Sequence, residues 1–121
     1  MRLLHLEDEG PFRNLFKIAL ATIDPKVELI QFMSADEANT HLEQVTDNVK
    51  VFVMDIRVPG NLDGLDLAKI VREKYPNAPI IMTSAYQKPD ADLIRRLNLI
   101  WMPKPVHILN ISQKIIPLCY Q

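Results

Sequence analysis

Two rhythms alternate along the chain. Short runs rich in Val, Ile and Leu occupy positions 2–6, 27–32, 50–54, 79–83 and 100–102, and longer stretches between them repeat apolar residues at helical spacing. That alternation predicts an α/β fold: a five-stranded parallel sheet joined by crossover helices. The third and fourth runs, KVFVM and PIIMT, are nearly continuous in apolar residues, as expected where helices cover both faces of a sheet.

The helices follow from the same pattern. Phe12, Leu15, Phe16 and Ala19 mark one face of a first helix, with Pro11 tolerated in its first turn. Ser34-Ala35-Asp36-Glu37 reads as a capping box before a second helix that turns Ala38 and Leu42 inward. Leu65, Ala68, Val71 and Tyr75 stripe a third helix, which Pro76 stops. A short fourth helix over 90–97 offers only Ile94 and Leu97, and a fifth from about Val106 carries Ile108, Ile111 and Ile115 until Pro117 interrupts it.

Composition narrows the class. At 121 residues, with 48% apolar and 24% charged residues, the chain is read as one domain, 1–121, large enough for a core without disulfides or structural metal. Its one cysteine, Cys119, makes no intrachain disulfide, and no charged neighbour marks it as reactive. A net charge of -1 provides no basic field for nucleic-acid phosphates, so no direct nucleic-acid binding is expected. No apolar run approaches the roughly 20 residues of a membrane span or makes a signal peptide, which leads to a cytoplasmic expectation with no membrane partner. Three glycines, Gly10, Gly60 and Gly64, rule out the Gly-rich phosphate and dinucleotide loops.

In a sheet of this kind ligands gather beyond the carboxyl ends of the strands, where strand order reverses. The residues following the predicted strands are therefore the candidate chemistry: Glu7-Asp8-Glu9, then Asp55, then Ser84-Ala85, then Lys104-Pro105. Glu7, Asp8 and Asp55 against Lys104 leave a formal charge of about -2, which one divalent hard cation cancels, and magnesium suits an open site of carboxylates, carbonyls and water. A cation, an accessible carboxylate, a lysine and a hydroxyl together are equipped to receive a phosphoryl group, because that transfer is mainly positioning and charge neutralisation.

The ordered landmarks Glu7-Asp8, Asp55 with Pro59 and Gly64, Ser84-Ala85 and Lys104-Pro105 resemble the receiver domain of two-component response regulators, a flavodoxin-like fold, across essentially the whole chain. The resemblance implies Asp55 as phosphoacceptor, with Mg²⁺ held by Glu7, Asp8, Asp55 and the Arg57 backbone carbonyl. It implies Ser84 and Lys104 on phosphoryl oxygens, Ser84 and Trp101 as the switch, and Arg57 and Tyr86 as gates on water's approach. The implied partners are a sensor histidine kinase or histidine phosphotransfer protein and a downstream protein target. A homodimer or partner surface is expected on helix four, strand five and helix five, at Trp101, Leu109 and Ile116. The domain promotes only its own phosphorylation and dephosphorylation, and its output is binding or relay. Departures from the family pattern are Glu7 in place of the usual aspartate, a longer loop 59–64, a shorter stretch from Ser84 to Lys104, and Leu97-Asn98-Leu99 in place of a small-residue turn.

Two rival readings bear on the same residues. An aspartate-nucleophile phosphatase resembles a family with a second aspartate two positions on, where this chain has Arg57. A phosphorylation-independent pseudo-receiver usually lacks the acidic pocket or the lysine, and both are present. His5 reads as a satisfied core histidine, and His41 and His107 as surface residues.

Overall fold

The computed structural model describes residues 2–44, 49–85 and 88–121. Tyr86 lies outside the described residues. Five parallel strands, β1 (Arg2–Leu6), β2 (Glu28–Phe32), β3 (Val49–Asp55), β4 (Ile80–Ser84) and β5 (Leu99–Pro103), form one sheet in the order β2-β1-β3-β4-β5. The order reverses between β1 and β3, which places the crevice where these two strands end.

Strand alternation divides the core in two. Leu4, Leu6, Phe52, Met54, Ile80 and Met82 face α2 (Ala35–Gln44), α3 (Gly64–Lys74) and α4 (Ala91–Leu97). Leu3, Val51, Val53 and Ile81 face α1 (Gly10–Ile23) and the C-terminal helical segment. The cluster residues on both faces are almost fully buried, which accounts for the unbroken apolar runs in β3 and β4.

The structure corrects several sequence expectations. β3 and β4 each run one residue past the predicted end, so Asp55 and Ser84 are terminal strand residues, and β5 is a full five-residue strand. In α1 the buried residues are Phe16 and Leu20; Phe12 is partly exposed and Leu15 is 63% exposed. Stacking of Phe16 on the His5 ring, with centroids 4.0 Å apart, sets that rotation. In α3 the stripe is Leu67, Ala68 and Val71, with Leu65 only half-buried.

The C-terminal segment begins at Ile108, not Val106, and Pro117 does not end it. It comprises α5 (Ile108–Asn110), a π-helical turn (Ile111–Ile115) and α6 (Ile116–Cys119). The wide turn, closed by Ile116 N–H donating to the Ile111 carbonyl, lets Pro117 enter in the first turn of a new helical piece, where its missing N–H costs nothing. Ile111, Ile115 and Cys119 are buried, whereas Ile108, expected in the stripe, is 54% exposed at the start of the segment.

Side chains hold the loops that frame the crevice. Asp63 caps α3, accepting from Asp66 N–H at 2.8 Å while Asp66 accepts from Asp63 N–H at 3.0 Å. At Ser34 only half of the predicted reciprocal box is seen, with Glu37 N–H donating to Ser34 Oγ at 3.2 Å. Asp36 of α2 accepts from the N–H groups of Asn61 and Leu62, tying down the long loop after β3. Gly60 sits there at φ +113°, and a Cβ would lie 2.2 Å from Asp36 Oδ2. Asn98 ends α4 in the left-handed region, φ 52°, which asparagine tolerates; this is how Leu97-Asn98-Leu99 makes its turn. Among the described residues no helix is long and apolar enough to cross a membrane.

Candidate functional site

Backbone hydrogen bonds extend the sheet beyond its strands and fix the rim. Glu7 N–H donates to Phe32 O, Ile56 N–H to Thr83 O, and Lys104 N–H to Ser84 O, all at 3.0–3.1 Å. The Lys104–Pro105 peptide is cis. Arg13 of α1 donates to the carbonyls of Glu7 and Asp8 at 3.0 and 3.2 Å, so the acidic turn is held from its backbone.

The predicted acids converge. One carboxylate oxygen each from Glu7, Asp8 and Asp55 lies within 4.8 Å of the others. Glu7 and Asp55 are buried and Asp8 is exposed, so the cluster has an inner wall and an open side. Lys104 Nζ lies 2.5 Å from Glu7 Oε1 and 2.8 Å from Asp55 Oδ2, and 4.9 Å from the centre of the Phe12 ring. Glu9 N–H donates to Glu7 Oε2 at 3.2 Å, and Arg57 N–H to Asp55 Oδ1 at 3.4 Å. The pocket above, about 200 Å³, is lined by Asp8, Glu9, Asp55, Arg57, Ala85 and Lys104.

Burial, reinforced by the Asp55 charge, raises the Glu7 carboxyl to about 7 against the opposing pull of Lys104 and the Glu9 N–H. Burial pulls the Lys104 ammonium down, but its hydrogen bonds and charge interactions with Asp55 and Glu7 more than offset this, and its pKa is raised. Three crowded acids, two of them paired with one ammonium, form a negatively charged site whose excess charge a divalent cation relieves. The donor set, all oxygen and open at Asp8, fits a hard cation.

The remaining sequence-predicted residues are distributed around this centre. Ser84 is buried at the end of β4, and Arg57 is exposed at the pocket wall. Trp101 is half-buried in β5, packed against the α2–α4 side of the sheet, and Ile116 is half-buried on the opposite side. Leu109 is 64% exposed in α5, and Trp101 and Ile116 pack on opposite faces of the sheet. His5 is buried as expected, its Nδ1 3.0 Å from Gln31 Nε2; burial, with the Lys104 and Arg13 charges, lowers it to about 3. His41, expected at the surface, is half-buried with its ring 5.3 Å from that of Phe32. Sequence reasoning missed Arg13, Phe12 and Gln31 as supports of the site. Only the Asp63-x-x-Asp66 spacing that opens α3 carried a local signal.

A reversing five-stranded parallel sheet, with an acid cluster at the switch point and a lysine reaching across from the last strand, defines a receiver architecture. The chain belongs to the response regulator receiver domain family, whose family model matches residues 3–108. A CheY-like receiver domain protein from Methanospirillum hungatei JF-1 shares the fold, with a TM-score of 0.84 at 19% identity over 98% of this chain and 93% of that one. TrrA of Thermotoga maritima, solved in complex with Mg²⁺-BeF, is 26% identical with a TM-score of 0.80 over 97% of each chain. TrrA has also been solved in complex with the histidine kinase ThkA. The DNA-binding transcriptional regulator NtrC of Proteus hauseri is 34% identical over 76 residues, which are 60% of this chain and 16% of that protein. The matched stretch is thus a small part of that relative.

Proposed function

We propose that the chain, as a single receiver unit over 1–121, takes a phosphoryl group onto Asp55 from a phosphohistidine on a sensor kinase or phosphotransfer protein. An Asp55 oxygen attacks phosphorus as the bond from phosphorus to the imidazole nitrogen breaks. The bonding electrons leave with the imidazole, and an aspartyl phosphate results. The observation that carries this reading is the Lys104 ammonium, 2.8 Å from Asp55 in an open pocket beside the exposed Asp8 carboxylate.

Glu7, Asp8, Asp55 and the Arg57 backbone carbonyl would hold Mg²⁺, which when bound supplies charge neutralisation for the incoming phosphoryl oxygens. Support comes from the crowded acid cluster and from the Mg²⁺-BeF complex of TrrA. Lys104 keeps its charge beside the transferred group, and the Ser84 hydroxyl donates to a phosphoryl oxygen, leaving space for Trp101 to follow. Arg57 and Tyr86 shield the aspartyl phosphate from water and prolong its lifetime. The domain promotes only its own phosphorylation and dephosphorylation, in the cytoplasm. A kinase partner is supported by the ThkA–TrrA complex, and Phe12 and Leu15, the exposed apolar residues of α1 nearest the rim, offer that partner a surface. Output passes to a downstream protein or a homodimer through α4, β5 and the C-terminal segment.

Incubation with acetyl phosphate and Mg²⁺ should add one phosphoryl mass to the intact chain, and Asp55→Asn or chelation should abolish it. Equal labelling of that variant would overturn the assignment.

A further inference from the structure

The three acids of the site are not held alike. Glu7 is fixed by the Lys104 ammonium and the Glu9 N–H, and Asp55 by the same ammonium and the Arg57 N–H. Asp8, the exposed member, has no such hold: among the described residues its carboxylate makes no hydrogen bond or ion pair, although it closes the cluster with the other two acids. Where that carboxylate stands is therefore set by the main chain of the turn between β1 and α1.

One side chain governs that turn. Glu9, where α1 begins, makes no capping hydrogen bond with its side chain, so the usual fastening of a helix start is absent. Arg13, one turn along α1, folds back over this start, with Nη2 3.8 Å from the position a Cβ on Gly10 would take. Its Nη1 bridges two successive carbonyls, those of Glu7 and Asp8. These belong to the peptide planes on either side of the Asp8 α-carbon, so holding both fixes the direction in which the side chain leaves the backbone. Among the described residues the guanidinium makes no ion pair, despite the acids on the same rim; it serves the main chain alone. Its own backbone is anchored from the sheet. Gln31 of β2 donates to the Arg13 carbonyl at 2.9 Å, and the same amide nitrogen lies 3.0 Å from His5 Nδ1 in β1.

We propose that Arg13 is a positioning residue for the divalent cation: it aims the Asp8 carboxylate through the main chain and so sets the affinity of the site for Mg²⁺. This rests on the reading of Glu7, Asp8 and Asp55 as the cation's ligands. The sign of the effect separates positioning from charge. By Coulomb's law alone, removing a positive side chain beside a Mg²⁺ site tightens binding. Releasing a ligand the cation needs loosens it, by about tenfold for groups that orient a metal's ligands.

The test is a titration of the full chain with magnesium chloride, read by backbone amide NMR of Glu9, Ile56 and Arg57. Arg13→Met, which keeps an apolar stem and loses every donor, should bind about tenfold more weakly than the wild type. Arg13→Lys, which keeps the charge on a shorter stem, should fall between them, and it gives the same ordering should Arg13→Met not fold. Arg72→Ala, which takes a guanidinium from the carbonyls of Tyr75, Ala78 and Leu97 instead, controls for lost stability and should bind like the wild type. In labelling by acetyl phosphate, the Mg²⁺ concentration giving half the maximal rate should rise about tenfold in Arg13→Met, with the rate at saturating Mg²⁺ little changed. The proposal is overturned if Arg13→Met, or Arg13→Lys in its place, binds Mg²⁺ as tightly as the wild type or more tightly. It is equally overturned if Arg72→Ala weakens binding as much. A wild type that binds no Mg²⁺ overturns the cation reading as well, whereas wild-type binding that no Arg13 variant alters removes this proposal alone.

Discussion

Adding one methyl group at Gly64 should disturb both the fold and the chemistry of this domain. Gly64 opens α3 and donates its N–H to the Ile56 carbonyl at 2.8 Å, directly under the end of β3. A Cβ there would lie 1.9 Å from the carbonyl oxygen of Asp55, 2.8 Å from its carbonyl carbon and 2.9 Å from Ile56 Cα. All three are backbone atoms, so no side chain can swing aside, and relief requires opening the gap from 1.9 Å to the 3.4 Å of an ordinary contact. Overpacking of this kind with a weakened backbone hydrogen bond costs about 3 kcal/mol, more than the ~1 kcal/mol that alanine gains over glycine in a helix. At a urea dependence of about 2 kcal/mol/M, the net loss of about 2 kcal/mol should lower the unfolding midpoint of Gly64→Ala by roughly 1 M. Because the residue pushed is the proposed phosphoacceptor, a displacement near 1 Å should also slow labelling by acetyl phosphate by about 100-fold. Gly10→Ala is the control: its Cβ would meet only the Arg13 guanidinium, at 3.8 Å, and both measurements should be unchanged or slightly improved. If Gly64→Ala retains the wild-type midpoint and labelling rate, the close approach of α3 to Asp55 is not what holds the site.

Arg72 donates to the carbonyls of Leu97, Tyr75, Pro76, Ala78 and Asn98, closing the ends of α3 and α4 at once. Arg72→Ala should lower stability by about 3 kcal/mol in urea melts, and Arg72→Lys should recover less than half of it, because a single ammonium cannot reach diverging carbonyls. Cys119 is fully buried, and burial, with the Asp24 charge, pushes its thiol up. A thiol-reactive dye should therefore label the folded chain at least about 100-fold more slowly than the urea-unfolded chain, and comparable rates would contradict its packing. Trp101 is the only tryptophan, so addition of beryllofluoride and Mg²⁺ should shift its emission if Ser84 and Trp101 form the proposed switch. The shift should vanish in Ser84→Ala, and unchanged emission of the wild type with the site demonstrably occupied would refute the switch.

What the sequence determined by itself was the repeating part. Continuous apolar runs in β3 and β4 implied a sheet covered on both faces, and the residues after each run named Glu7, Asp8, Asp55, Ser84 and Lys104 as one rim. Strand alternation and crossover connections constrain local sequence tightly enough for that. Helix rotation was less legible. Phe12, Leu15 and Ile108 fit an apolar stripe by spacing, yet they are exposed, because the depth of a helix face depends on what it meets across the sheet, here the His5 ring under Phe16. Pro117 looked like an ending, but after the π-helical turn it falls in the first turn of a new helical piece, where a missing N–H costs nothing. Only the tertiary structure decided that Lys104 lies between Glu7 and Asp55, and that Gly64 is bare because Asp55's backbone occupies the space. Each of these is a contact between residues from separate strands or helices, and its energy depends on distances that no local pattern encodes.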